Sequence, residues 1–259
     1  MSTCAAASAT GRIDSLFVAL GWGALAASSL VIGALLGLLR PWPNRAIGVV
    51  LAFGAGALIS AVSFDLAEDG VALGGADSVA LGLALGAFTN YFADRLIARV
   101  GETDPTTPEA GPSPDSDGGT ALALGAFLDG IPEQMVLGIG LVAGDGVSIG
   151  LLAAIFVSNL PEAVGSATEM RAAGRSSATI VCLWIIVALI CTFATVAGYG
   201  IADGASGDLQ ATINGFAAGA LLVMLIDSMI PDAARQAGKV AGLVTVLGFA
   251  VATGLSGVG

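Results

Sequence analysis

Two apolar stretches of the sequence each carry a glutamate directly after a proline. The first reads DGIPEQ and contains Asp129, Pro132 and Glu133, and the second reads SNLPEA and contains Ser158 and Glu162. In each stretch, two oxygen-bearing side chains are four residues apart, so they lie on one face of a helix. Carboxylate and hydroxyl oxygens that converge in this way could bind a metal cation, provided that the two helices lie side by side.

The connection between the two stretches is short and turns around the tripeptide GDG, residues 144–146. The two helices are therefore predicted to be antiparallel. Counted from this turn, Asp129 falls at the depth of Glu162, while Glu133 falls at the depth of Ser158 and Asn159. Four to five oxygen ligands could then converge between the helices.

The two prolines add to this interpretation because each lacks an amide hydrogen. Pro132 and Pro161 leave the carbonyls of Leu128 and Val157 without their usual helical hydrogen bonds. Kinked helices with released carbonyls beside carboxylates are a recurrent form of ion site in transporters. In the alternative reading, the prolines only shape the packing and the acids bond to neighbouring helices.

The composition places these stretches in a membrane. Hydrophobic residues make up 56% of the chain and charged residues only 11%, which lies outside the range of soluble domains. The net charge of -11 argues against nucleic acid as a partner. We therefore expect an all-α integral membrane protein whose partner is the lipid bilayer.

Eight apolar runs are each near the length of about 20 residues that crosses a bilayer as a helix. They form a single transmembrane domain over residues 1–259, with the Pro-Glu helices in spans four and five. The predicted spans are 15–39, 46–68, 78–100, 120–143, 146–170, 176–201, 211–231 and 238–258.

The basic residues predict the orientation of the spans, because lysine and arginine gather in cytoplasmic loops. Eight of the nine basic residues fall on one side if both termini are extracellular, and only Arg12 falls opposite. This places residues 1–14 in an extracellular tail and predicts a multi-pass protein of the plasma (inner) membrane. The Pro-, Gly- and acid-rich segment 101–119 then forms a disordered cytoplasmic loop.

Further acids lie near the ends of two other spans. Asp65 and Glu68 lie towards the outer end of span two, and Asp227 and Asp232 lie towards the inner end of span seven. They could form an access path, since negative charge concentrates cations. Alternatively, acids at such positions solvate turns and cap helices.

At these residues the chain resembles the Zrt- and Irt-like proteins, the ZIP family of divalent metal transporters. Members carry a His-Asn-x-Pro-Glu-Gly type of motif in span four and a related motif in span five, which stand here as DGIPEQ and SNLPEA. The segments 53–70 and 215–233 resemble the family's second and seventh spans. The resemblance implies a ZIP-like bundle of eight helices with kinked helices four and five at its centre.

Carried over by position, the resemblance implies a principal metal site of Asp129, Glu133, Ser158 and Glu162, with Asn159 beside it. Asp129 replaces the usual histidine of span four, and Gly130 replaces the neighbouring asparagine. Cys191 in span six stands where many members have a carboxylate, so a single ion is expected rather than two.

The chain contains no histidine, and this bears on the ion. An all-oxygen site suits hard divalent ions, so Mn2+ or a similar ion ranks slightly above Zn2+, with Fe2+ also open. The metal is expected as the substrate, and no other cofactor is expected. A homodimer is left open.

The function implied is transport of a divalent metal cation through the carboxylate-lined site between helices four and five, into the cytoplasm. The main alternative is a proton or sodium pathway without metal transport, because acids alone can carry protons. An intramembrane enzyme is not expected, since no activated nucleophile, His-Glu-x-x-His or Gly-x-Gly-Asp motif is present.

Overall fold

The computed structural model describes residues 2–101, 130–142 and 148–256, and every regular element in these ranges is helical. The predicted all-α class is confirmed. The α-helices are α1 (Ser2–Leu39), α2 (Asn44–Ala61), α3 (Asp69–Gly101), α4 (130–140), α5 (Ile149–Ala172), α6 (Ser177–Ala202), α7 (Gly207–Met224), α8 (Ile230–Ala237) and α9 (Ala241–Ser256). The π-helical turn π1 (Val62–Glu68) joins α2 to α3, π2 (Leu225–Met229) joins α7 to α8, and a 3-10 turn (Gly238–Val240) precedes α9.

Five helical stretches within the described ranges are long and apolar enough to cross a membrane. Two of them, Asn44–Ala93 and Gly207–Ser256, contain 50 residues each. Since about 20 helical residues cross a bilayer core, each of these two is long enough for two crossings. The predicted multi-pass membrane architecture is confirmed. The count of eight spans stays a prediction, because residues 102–129 lie outside the described ranges.

The first 50-residue stretch reverses direction at Gly75. This residue has φ 83° and ψ 165° inside α3, a backbone conformation that glycine adopts without strain. A methyl group added at Gly70 would lie only 2.9 Å from Cγ2 of Val79, so residues nine apart in sequence touch across the reversal. The predicted spans 46–68 and 78–100 are therefore separate helices, and the loop expected between them is helical up to the reversal.

The second 50-residue stretch reverses in the same way at Gly238, where φ is 66°. Gly48, near the start of α2, packs against Ala237 at the end of α8. Ser60, near the end of α2, hydrogen-bonds Thr253 near the end of α9 at 2.9 Å. α2 is therefore antiparallel to α8 and parallel to α9. Span seven extends past its predicted end at residue 231, because the helix continues to this reversal.

The two halves of the chain share an order of elements. Each has a helix, a π-turn, a short helical segment, a glycine reversal and a further helix, and α3 packs on α7 as α2 packs on α9. Two halves related as inverted repeats would show this shared order of elements. α5 packs mainly against α1 and α2, and it also contacts α9.

Serines define where three of the helices begin. Ser148, Ser176 and Ser206 are the N-cap residues of α5, α6 and α7, and each hydroxyl accepts a hydrogen bond from the amide three residues later. These bonds satisfy amides that no helical carbonyl can reach. The starting point of α5, and with it the depth of Ser158, is set by this local chemistry.

We expect alanine at Gly215 and Gly219 to destabilise the protein, because an added methyl group would run into the backbone carbonyls of Val79 and Leu83. Overpacking of this kind costs about 1–3 kcal/mol, which thermal unfolding in detergent would detect as a lower Tm. Gly21→Ala is the control, since a methyl group there has no neighbour within 4 Å. Equal Tm values for all three variants would contradict the close packing of α3 on α7.

Candidate metal site

Glu133 and Ser158 lie in direct contact between α4 and α5. The Ser158 hydroxyl is 3.2 Å from Oε1 and 3.4 Å from Oε2 of Glu133, and it also lies 3.0 Å from the carbonyl oxygen of Ile155. Glu133 is 2% exposed and Ser158 is completely buried. The predicted pairing of Glu133 with Ser158 at one depth is therefore observed, and a carboxylate occupies the interior of the bundle.

Two further predicted ligands lie on α5, next to Ser158 and one turn beyond it. Asn159 is 1% exposed, and its Nδ2 has no hydrogen-bond partner among the described residues. Glu162 is half-buried and follows Ser158 by one helical turn on the same face of α5. The described oxygen donors are thus two carboxylates, a hydroxyl and an amide. Within the described ranges, no three His, Cys, Asp or Glu side chains gather closely enough to hold a metal ion by themselves.

Asp129 lies outside the described residues, so its predicted place at the depth of Glu162 stays a prediction. Its neighbour Gly130 is buried, and a methyl group added there would lie 3.0 Å from Sγ of Cys191. α4 therefore meets α6 at Gly130. Cys191 lies at this contact, and its correspondence to a carboxylate position of the family stays a prediction.

α4 is held against α6 by a second polar contact that the sequence analysis did not single out. Gln134 Oε1 accepts a hydrogen bond of 2.7 Å from the Thr195 hydroxyl, and both side chains are completely buried. One turn further on, Gly138 packs against the Thr195 carbonyl and Gly198 packs against Met135. Glu133 and Gln134 thus face different helices. The hydrogen bond between Gln134 and Thr195 fixes the rotation of α4, and this rotation directs Glu133 towards α5. The sequence feature that could have indicated this contact is the polar side chain of Gln134 within an otherwise apolar run.

The backbone of Ser158 also touches α2, and this contact was not predicted either. A methyl group at Gly54 would lie 3.0 Å from the Cα atom of Ser158 and 3.0 Å from Cε of Met229. α2 therefore approaches the back of the site so closely that a methyl group at Gly54 would be crowded. Helical periodicity cannot reveal such a contact, because it depends on a helix distant in sequence.

The acids predicted for the outer end of span two line a cavity of about 520 Å³. π1 and the start of α3 contribute Asp65, Glu68 and Asp69 to its wall. Its apolar side includes Leu66, Leu137 and Leu151, each at most 2% exposed. Leu137 is one turn of α4 from Glu133, so the candidate site lies about 6 Å deeper along that helix.

The two acids predicted for the inner end of span seven differ in their surroundings. Asp227 is exposed on π2. Asp232 forms a salt bridge of 2.6 Å with Arg235, three residues later on α8. The structure therefore brings Asp65 and Glu68 to a cavity, whereas Asp232 is engaged in a local pair at the helix surface.

The fold is that of a multi-pass helical membrane protein, and its interior contains the buried carboxylate of Glu133. Comparison with curated proteins finds "Putative zinc transporter At3g08650" of Arabidopsis thaliana, which is 28% identical over 204 residues. The similar region covers 77% of this chain and 32% of that protein, so the chain spans about a third of the length of this relative. No protein-family model matches the chain. This similarity confirms the resemblance to the ZIP family, since a protein described as a putative zinc transporter is consistent with that family.

Proposed function

We propose that the chain transports a divalent metal cation across the membrane, into the cytoplasm, through the site between α4 and α5. The observation that carries the proposal is the contact of Ser158 with Glu133, which holds a carboxylate at 2% exposure inside a membrane bundle. Intramembrane carboxylates are costly and usually mark ion pathways. The relative described as a zinc transporter adds independent support and favours a transporter over an enzyme.

The hydrogen-bond geometry of Ser158 is suited to reversible binding of a cation. Its hydroxyl has one proton and two lone pairs, and the carbonyl of Ile155 is a second acceptor at 3.0 Å. When a cation binds Glu133, the proton can turn to Ile155 and leave lone pairs directed at the ion. When the cation leaves, the hydroxyl can donate to the carboxylate again. Glu133 thus has a hydrogen-bond donor in the absence of the ion.

The ligand set proposed for the ion is Asp129, Glu133, Ser158, Asn159 and Glu162. All of these donors are oxygen atoms, as Mn2+ and other hard ions prefer. The similar Arabidopsis protein is described as a putative zinc transporter, and carboxylates bind Zn2+ too. Mn2+ and Zn2+ are therefore the two ions to compare.

We expect Glu133→Gln and Glu162→Gln each to reduce Mn2+ and Zn2+ uptake into vesicles below about a tenth of the wild-type rate, which corresponds to about 1.4 kcal/mol. Glutamine keeps the shape of glutamate and can still accept a hydrogen bond, but it loses the charge that attracts the cation. Folding should be retained, as judged by elution from a sizing column and by Tm.

Glu169→Gln is the matched control for both variants. Glu169 is an exposed carboxylate on α5, seven residues after Glu162, and we expect its replacement to leave uptake unchanged. Wild-type uptake in both site variants would refute the proposed site. Proton or sodium flux without any metal uptake would instead support the alternative pathway.

We expect Ser158→Cys to raise the ratio of Zn2+ to Mn2+ uptake, because it replaces a hard oxygen ligand with a soft sulfur of similar size. Small size matters here, since α2 packs against the Ser158 backbone at Gly54. Asp129→His should shift the ratio in the same direction. Ser166→Cys, at a buried serine eight residues further along α5, is the control. An unchanged ratio in both site variants would remove Ser158 and Asp129 from the ligand set.

The proposal includes an orientation in the plasma (inner) membrane. Both termini and the tail 1–14 are extracellular, and the loop 101–119, which after Gly101 lies outside the described residues, is cytoplasmic. In a variant with Ala110→Cys, a membrane-impermeant maleimide should label position 110 only after lysis and Cys4 in intact cells. Labelling of position 110 in intact cells would reverse the orientation.

A further inference from the structure

The outer cavity is separate from the candidate transport site. Its wall is formed by π1 and by the ends of six helices, and Glu133, Ser158 and Glu162 are not part of it. The buried side chains of Leu66, Leu137 and Leu151 lie on its apolar side. The polar residues that line it include Asp65, Asp69, Ser148, Asn214 and Ser256.

The charge of this wall is entirely negative. Three of its described residues are carboxylates and none is basic. Asp65 and Asp69 are four residues apart and interact electrostatically, and the hydroxyls of Ser148 and Ser256 face Asp65. Oδ2 of Asp65 is buried and has no hydrogen-bond partner among the described residues. Like charges at this spacing repel each other, and a cation between them would remove the repulsion.

A second observation comes from α7, on another wall of the same cavity. Asn214 is only 5% exposed, and its Oδ1 has no hydrogen-bond partner within the described part of the chain. Its Cβ lies against the segment that carries the acids, because a methyl group at Gly70 would be 3.3 Å from it. An unsatisfied buried acceptor costs about 1–3 kcal/mol. An amide oxygen is also a common ligand of hard cations.

We infer that this cavity is a second divalent-cation site, in which Asp65 and Asn214 bind the ion directly and Asp69 adds negative charge. Its donors are carboxylate, amide and hydroxyl oxygens, so it takes hard ions such as Mn2+ or Ca2+. The binding site is independent of the transport site. Its role as the place where an ion waits before transport rests on the proposed function.

The test is to count the Mn2+ ions that the purified full-length protein binds, from the loss of the free Mn2+ signal in electron paramagnetic resonance. The wild type should bind two ions. Asp65→Asn combined with Asn214→Leu should bind one, and Glu133→Gln combined with Glu162→Gln should also bind one. Asp77→Asn, which removes an exposed outer carboxylate that does not line the cavity, should bind two.

The outcomes separate the two sites. An unchanged number of bound ions in the Asp65 and Asn214 double variant overturns the outer site. Two bound ions in the Glu133 and Glu162 double variant overturns the transport site and leaves the outer site standing.

Asn214→Asp provides a readout that does not depend on loss of folding. It adds a ligand charge at constant size and should lower the Kd of the outer ion by about tenfold, since ligand charge tunes such sites. A weaker or unchanged Kd in this variant would mean that Asn214 does not touch the ion.

Discussion

The buried carboxylate of Glu133 is the constraint on which the rest of the structure depends. A carboxylate cannot remain inside a membrane bundle without partners, so α5 must present Ser158 at the same depth. That depth follows from where α5 begins, at its Ser148 cap. The rotation of α4 follows from Gln134 and Thr195, whose buried hydrogen bond to α6 lies on another face of α4. Burial of the Glu133 side chain therefore depends on the relative positions and rotations of α4, α5 and α6.

Close approach of the helix backbones offsets the energetic cost of holding the helices in this arrangement. Helices in a membrane gain little from the hydrophobic effect and associate through tight packing of small residues. Glycines at the contacts of α2 with α9, of α3 with α7 and of α4 with α6 place backbone against backbone. Gly54 brings the same packing to the back of Ser158. The helix surfaces that support the site therefore have no large side chains at their glycine contacts. Such surfaces can separate without first moving interlocked side chains.

The features that could be predicted from the sequence are those set by local periodicity. The four-residue spacing and the short connection gave the register of Glu133 with Ser158, and the apolar runs gave the helical spans. The π-turns were not predicted, because they keep the helical pattern while inserting a residue. Gln134, Gly54 and Asn214 were also missed as site elements. Each acts through a residue on a helix distant in sequence, and periodicity within one helix carries no information about such a partner.

The apolar layer between the cavity and Glu133 limits how an ion could move under the proposed function. Leu66, Leu137 and Leu151 are almost completely buried, and an ion surrounded by hydrocarbon loses hydration that nothing there replaces. Among the described residues, these three leucines therefore offer an ion no polar ligand on this side of the cavity. If both proposed sites bind ions, movement of the helices that carry these leucines would open a route from the cavity to Glu133. The contact of α2 with α5 at Gly54 is one place where such movement would break few interlocking contacts. The same helix packing that positions Ser158 would therefore have to change during transport.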